Sequence, residues 1–563
     1  MKRKKKSITN ARLGIAAMAI GLVTMLSYKP IALANLQWGN ATAQQPNIIF
    51  IISDDHTSQA ISAYGSKLAK TPNIDRIARE GAILYNNVVA NSICGPSRAT
   101  LLTGQFSHRN GYKFNEKVFD INQPVFSEEL QKNGYQTAWI GKMHLGSLPH
   151  GFDYLNILPG HGSYYNSDFV DSNNKTTRHP GYVTDVVTNL STDWLARRDS
   201  SKPFFLVVGH KATHREWMPA LEDLGAYDKV TFPIPPTFYD TYEGRIVAQK
   251  QDMSIEKTMN LKADLKVHVD YEVDEARVPE EKARLKKMLY TDAATTPAQE
   301  KQLETYVREG SFKRLTSEQK KVFSGYYAKI SQEFDEKKLT GKALTEWKYQ
   351  RYLKDYLSTA NSLDRNIGKL LDYLDKTGLA KNTVVIYTSD QGFYLGEHGW
   401  FDKRWIYEES LKTPFVIRYP GVIKPGSQVK QVVSNVDWAP TLLSLAGTRI
   451  PDYIQGESFL PVLKGEKKAW RDQAYYNYYE YPQLHHVSPH FGLRTKQYTL
   501  AHFYGPDHFW ELYDIQKDPQ NLRNLYGQKG YERVTAALKK QLKEQIVKYK
   551  DEEALKLMEA NTQ

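Results

Sequence analysis

Residues 47–53 read Asn-Ile-Ile-Phe-Ile-Ile-Ser, and this run constrains the fold more than any other stretch of the chain. Five large apolar side chains follow one another without alternation, so a strand here has no face left for water. The run is also too short for a buried helix. A β-branched segment of this length reads as a central strand covered on both faces, the usual situation in a parallel sheet. Residues 204–208 and 383–388 repeat the pattern. Helical periodicity lies between them. In 71–81, Thr71 stands at the N-cap, Pro72 at the first helical position, and Ile74, Ile77 and Ala78 form one stripe before Gly81. Further helices are predicted over 126–133, 183–197 and 361–376, and a strand over 136–140. This alternation predicts an α/β domain with a doubly wound, mostly parallel sheet flanked by helices, its ligands at the carboxyl ends of the strands.

Two segments depart from the pattern. Residues 231–350 are Lys/Glu-rich after Pro233, Pro235 and Pro236, and read as a partly helical insertion with a solvated surface. From 447 the chain changes character. Strands over 475–479 and 491–504 and an amphipathic helix over 531–559 predict a smaller C-terminal subdomain of antiparallel sheet plus helix. The expected organisation is a leader at 1–34, an α/β domain at 45–446 and the C-terminal subdomain at 447–563.

The first residues have a different purpose. Lys2 to Lys6 and Arg12 precede an apolar stretch from Leu13 to Leu26, and Ala32-Leu33-Ala34 supplies small residues for cleavage. The apolar stretch is short for a membrane span. Seven of the basic residues behind the formal charge of +12 lie in this leader, so the remaining excess is mild and no nucleic-acid footprint is left. The expectation is a protein handed to the secretion machinery, periplasmic or secreted by a bacterium, and not membrane-embedded after cleavage. The single cysteine among 563 residues permits no intrachain disulfide, which favours a bacterial periplasm over a eukaryotic secretory route.

That cysteine, Cys94, lies in Ser-Ile-Cys-Gly-Pro-Ser-Arg-Ala-Thr-Leu-Leu-Thr-Gly, residues 92–104. A lone cysteine is an inert core residue or a reactive centre. Here Pro96 fixes the backbone and the sequence after it reads as a short helix ended by Gly104. Cys94 is thereby placed just ahead of a helix N-terminus, beside the Arg98 guanidinium, where an anion is stabilised. Four oxygen-bearing side chains also follow two of the predicted central strands: Asp54 and Asp55 after the first, Asp390 and Gln391 after the later one. Carboxylate and amide oxygens suit a hard cation better than zinc.

The run Cys-x-Pro-Ser-Arg-x-x-x-Leu-x-x-Gly resembles the signature of the type I sulfatases, a branch of the alkaline phosphatase superfamily, and the likeness extends in order over most of 46–445. The resemblance implies that a maturation enzyme oxidises Cys94 to Cα-formylglycine, whose hydrated aldehyde is the nucleophile. It implies that Asp54, Asp55, Asp390 and Gln391 hold Ca2+, with Gln391 where many members carry Asn. It assigns Lys142 and His144, in a Gly-Lys-x-His motif, to sulfate contact and general base. His214 becomes a second catalytic histidine (nothing is carried over to Lys211, three residues earlier), and Lys403 a second sulfate-binding lysine. The segments Tyr164-Tyr165-Asn166 and 390–405 look most like enzymes acting on N-acetylglucosamine-6-sulfate, including bacterial mucin-desulfating enzymes. Asn166, His398, His485, His486 and Arg494 are the candidate sugar contacts. The alternatives are a sulfatase for iduronate-2-sulfate or galactose sulfates, a formylglycine-dependent phosphodiesterase or phosphonate hydrolase, and a non-catalytic glycan-binding protein.

Overall fold

The apolar run at 47–53 becomes β1 (Asn47–Ser53), which lies inside a ten-stranded sheet. The computed structural model describes residues 45–560 apart from 116, 291–294 and 467–468; the expected leader lies outside the described residues. The remaining sheet strands are β2 (Ala82–Leu84), β3 (Gln136–Lys142), β4 (Tyr154–Leu158), β5 (Asp168–Asp171), β6 (Thr176–Arg178), β7 (Phe204–Gly209), β8 (Thr383–Ser389), β9 (Phe415–Arg418) and β10 (Ser427–Val429). Their spatial order is β10-β2-β9-β8-β1-β7-β3-β4-β5-β6. The centre, β8-β1-β7-β3-β4, is parallel, whereas β9 and β5 pair antiparallel with it towards the edges.

The lack of alternation in β1 now has its explanation. Ile48, Phe50 and Ile52 enter the core on one face of the sheet, and Ile49 and Ile51 enter the core on the other. All five are fully buried, each contributing about 1.5–3 kcal/mol of apolar burial. Helices cover both faces: α1 (Pro72–Glu80), α2 (Cys94–Thr103), α3 (Phe126–Lys132), α4 (Val183–Arg197), α5 (Gly341–Lys376) and α6 (Trp438–Leu445). In α1 the buried stripe is Ile74, Ile77 and Ala78, as the periodicity predicts, but Thr71 makes no capping bond. Its hydroxyl is engaged by Ser62 and Asp75 instead. Gly81 is required for contact as well as for ending the helix, since a Cβ there would lie 2.0 Å from the Ile417 carbonyl oxygen.

Three boundaries differ from the sequence reading. Helix α5 starts at Gly341, well before the expected 361, because Tyr349, Tyr352, Leu353, Tyr356 and Leu357 continue its buried stripe upstream. It therefore runs across the expected end of the insertion at 350. The segment read as one strand over 491–504 is a hairpin of His490–Thr495 and Tyr498–Phe503, the middle of a four-stranded antiparallel sheet completed by Gln473–Tyr478 and Phe509–Asp514. The final helix is two, α7 (Glu532–Tyr549) and α8 (Glu552–Ala560), separated at Lys550, whose φ is +59°. Among the described residues no helix is long and apolar enough to cross a membrane.

Candidate active site

Parallel pairing delivers the chemistry to one rim. In the β1–β8 register Ser53 faces Ser389, so Asp54 and Asp55 leave the sheet beside Asp390 and Gln391. Lys142 ends β3, and Lys211 and His214 follow β7 on the other side of β1. Gly141 has φ +98° and a Cβ there would sit 2.0 Å from the Gly209 carbonyl oxygen. Glycine thus lets the β3 end, with Lys142, close on β7. Asp55, His144, Asp402 and Arg404 also hold positive φ, a cost of about 1–3 kcal/mol each that marks a site shaped against backbone preference.

Cys94 is the first residue of α2 rather than the residue before it, and the helix is buried throughout. Its Sγ lies 3.2 Å from Asp54 Oδ1 and 3.9 Å from Gln391 Nε2. Burial, reinforced by Asp54, raises the thiol well above its usual range, so the residue is a poor thiolate nucleophile as it stands. One turn on, Arg98 is a three-way brace. Nε donates to Asp390 Oδ2 at 2.9 Å, one terminal nitrogen to the Lys142 carbonyl at 2.8 Å and the other to the Ser53 carbonyl at 3.3 Å.

Acids and bases interleave. Lys142 Nζ pairs with Asp54, and Lys403 Nζ contacts both carboxylate oxygens of Asp55 at 2.8 Å. Burial disfavours charge on Asp54, yet Lys142, His214, Arg98 and Lys403 together hold it well below the usual carboxylate range. The balance tips the other way for its neighbours. Burial outweighs Lys403 and lifts Asp55 to about 7, and burial with Asp54 lifts Asp390 to about 6. Two acids that resist ionisation beside a third are short of positive charge. Asp54 places a ligand atom within 4.8 Å of those of Asp55 and Cys94, and likewise of His161 and His214; the Gln391 amide nitrogen donates to Asp55, and its Oε1 is buried without a partner. The carboxylate oxygens of Asp54, Asp55 and Asp390, with the orphaned amide acceptor of Gln391, fit a hard divalent cation.

The profile of the family described as Sulfatase matches residues 46–448, and that of the C-terminal region of N-sulphoglucosamine sulphohydrolase matches 396–548. The chain belongs to the sulfatase family. It is a sulfuric ester hydrolase with the alkaline-phosphatase-like fold. It is 44% identical to an N-acetylglucosamine-6-O-sulfatase of Bacteroides thetaiotaomicron over 90% of this chain and 87% of that one. An ulvan-active sulfatase of Formosa agariphila is 25% identical over 90% and 82% of the two chains. A solved structure of a protein bound to its substrate, D-glucosamine-2-N,6-O-disulfate, superposes with a TM-score of 0.82 at 44% identity, covering 90% of this chain and 99% of the other.

In the sulfatase, the ten residues read as metal and catalytic candidates (Asp54, Asp55, Cys94, Arg98, Lys142, His144, His214, Asp390, Gln391 and Lys403) lie at one rim. The candidate sugar contacts divide. Asn166 donates to the Arg314 carbonyl and Gln319 and accepts from Gly181, so its amide is spent on the fold. His398 is fully buried, with Nδ1 2.6 Å from Asp240, and Arg494 forks onto Glu408 and donates to Asn86. These three are bonded to neighbours in the interior, and the structure does not bring them to the rim. His486 is exposed and pairs with Asp252. His485 alone reaches the Lys403 segment, with Nε2 3.3 Å from Asp402 Oδ2. Residues missed by the sequence reading join the rim. His161 Nδ1 is 3.1 Å from Lys142 Nζ, and its ring stands between His144 (4.1 Å) and His214 (4.5 Å). Asp402 and Arg404, flanking Lys403, pair with each other at 3.0 Å. The positions of Asp402 and Arg404 beside Lys403 could have flagged them; nothing in the sequence around His161 did.

Proposed function

We propose that this sulfatase removes the 6-O-sulfate from N-acetylglucosamine-type sugars of mucin or glycosaminoglycan glycans, using a formylglycine made from Cys94 and a bound Ca2+. The observation that carries the sugar assignment is the 44% identity, over nearly the whole chain, to an enzyme named for that activity. The placement of Cys94 inside an oxygen-rich, cation-lined cluster supports the formylglycine and Ca2+ reading. Asp54, Asp55, Asp390 and Gln391 are the residues that would hold Ca2+. Formylglycine would supply the attacking hydroxyl, and the cation would polarise the sulfate.

The chain's own groups do the rest. A sulfate monoester repels nucleophiles because its oxygens are negative, and the buried Arg98, Lys142 and Lys403 would offset that charge. Burial, assisted by Lys142, keeps His144 neutral, and its buried Nδ1 has no partner. It would be free to act as a base beside position 94. His214 Nδ1 faces the Arg215 carbonyl oxygen at 2.5 Å, so Nδ1 carries hydrogen and Nε2 is the atom that exchanges a proton with the departing sugar oxygen. The Lys/Arg-rich leader supports export to the periplasm or beyond, where a formylglycine-generating enzyme of the host would have acted first.

The test is sulfate release from defined saccharides by the mature enzyme. N-acetylglucosamine-6-sulfate and glucosamine-2-N,6-O-disulfate are expected to lead the panel, and Cys94→Ala to release none. Equal turnover of galactose-6-sulfate or iduronate-2-sulfate, or faster turnover of a phosphonate ester, would remove the proposed specificity.

A further inference from the structure

Besides Arg404, which pairs with Asp402, four buried cationic side chains surround the acid cluster, and three of them have a carboxylate partner: Arg98 with Asp390, Lys142 with Asp54 and Lys403 with Asp55. Lys211 is the fourth. It is 3% exposed, its Nζ lies 4.9 Å from the centroid of the Tyr164 ring, and among the described residues no carboxylate pairs with it. A largely buried ammonium whose nearest acid, Glu216, makes no direct ion pair with it is poorly compensated. A cation–π contact returns about 0.5–2 kcal/mol. The shortfall is met when an anion enters, and the anion that enters this site is the substrate.

Its place in the site narrows which part of the substrate it meets. Lys211 lies on the same turn after β7 as His214, three residues before it. Tyr164 underlies both, since its hydroxyl donates to the His214 carbonyl oxygen at 2.5 Å. The charge of Lys211 acts on His214 and on His161, the imidazole stacked against it. The other three cations are tied to the acids that hold the sulfate end. Burial, partly offset by Glu216, brings the Lys211 ammonium down to about 8, which leaves it mostly charged at neutral pH and a good donor.

We infer that Lys211 is a further catalytic residue, whose ammonium donates a hydrogen bond to the bridging oxygen of the sulfate ester on its leaving-group side. This rests on the sulfatase reading above. As the nucleophile's oxygen bonds to sulfur, the S–O(sugar) bond breaks and its electron pair stays on the sugar oxygen. Lys211 stabilises that charge, and His214 Nε2, which carries no proton at rest, relays one from solvent to the sugar oxygen to complete the alcohol.

Charge on the leaving oxygen matters most when the alcohol is a poor leaving group. Lys211→Met is therefore expected to cost ~10²–10³-fold in kcat on N-acetylglucosamine-6-sulfate, as removal of one preorganised donor does. On 4-nitrophenyl sulfate, whose phenolate needs little help, the loss should be less than about tenfold on the same argument. Lys211→Arg should restore part of the sugar-ester rate, and inorganic sulfate, which has no leaving group, should inhibit both variants as it does the wild type. Equal losses on the two esters in a variant that unfolds like wild type, no loss on either, or a large rise in the inhibition constant of inorganic sulfate would each overturn the assignment. If Lys211→Met does not fold, Lys211→Arg answers the same questions. Failure of the sulfatase reading would look different, because the wild type would then release no sulfate from either ester.

Discussion

Replacing Arg98 with lysine separates what this residue builds from what it catalyses. Lysine keeps a positive charge for Asp390 but cannot reach in three directions from one rigid plane. The bonds to the Lys142 and Ser53 carbonyls are lost. Neither carbonyl is orphaned, because Trp139 Nε1 still donates to the first and the Asp390 amide to the second. The cost is therefore that of two charge-assisted bonds at the low end of their range, about 1.5 kcal/mol each, or about 3 kcal/mol of folding stability. The same two bonds hold the backbone of Lys142 against the end of β1, where Asp54 and Asp55 begin. Their loss lets the lysine and the acids shift, and misplacement of about 1 Å costs on the order of 10²-fold in rate. The assay is urea denaturation of Arg98→Lys at fixed Ca2+, paired with kcat/KM on N-acetylglucosamine-6-sulfate. If the variant unfolds with wild-type stability, Arg98 has no bracing role. If it turns over at the wild-type rate, its place in the active site is refuted.

Removal of divalent cation should lower both activity and the thermal midpoint, with Ca2+ restoring both. Ligand at 100 times its dissociation constant stabilises by about 2.7 kcal/mol, so a scan with and without chelator reads the effect, and an unchanged midpoint would count against the four-oxygen site. Far from the rim, Glu511 accepts from the Tyr407 and Tyr513 hydroxyls and burial raises its carboxyl to about 7. Because the folded form holds this proton more tightly than the unfolded chain, its contribution is whole below pH 4.5 and declines as pH rises through 7, by about 3 kcal/mol in all. Glu511→Gln should therefore flatten stability against pH between 5 and 8, measured by denaturant titration at each pH. A slope equal to wild type would show that Glu511 ionises normally.

How much could be read before the structure depended on the kind of signal. Central strands announce themselves because a segment buried on both faces must be apolar at every position, and β1, β7 and β8 lie within a residue or so of where the pattern put them. Helix α5 and the 490–503 hairpin were less legible. An aromatic stripe among lysines reads as a solvated insertion until there is a partner surface, and a two-residue Lys496-Gln497 turn with no glycine or proline leaves little mark. The candidate sugar contacts were less legible for a similar reason. Asn166, His398 and Arg494 are polar residues near matching motifs, but whether a polar side chain faces a ligand or a neighbour depends on what packs against it.

By itself the sequence determined the chemistry that is local: a cysteine opening a helix with an arginine one turn later, paired oxygen ligands at strand ends, and a lysine and a histidine two residues apart. Each is a short-range pattern whose meaning does not depend on distant residues. Only the tertiary structure decided which charges were matched. The pairings of Arg98 with Asp390 and Lys403 with Asp55 join residues about 300 or more positions apart, and they come from the register of parallel strands. The stacking of His161 between two other imidazoles and the missing partner of Lys211 arise in the same way. Buried electrostatics is a property of neighbours in space, so the one ammonium left without a carboxylate could be found only after every other charge in the site had been placed.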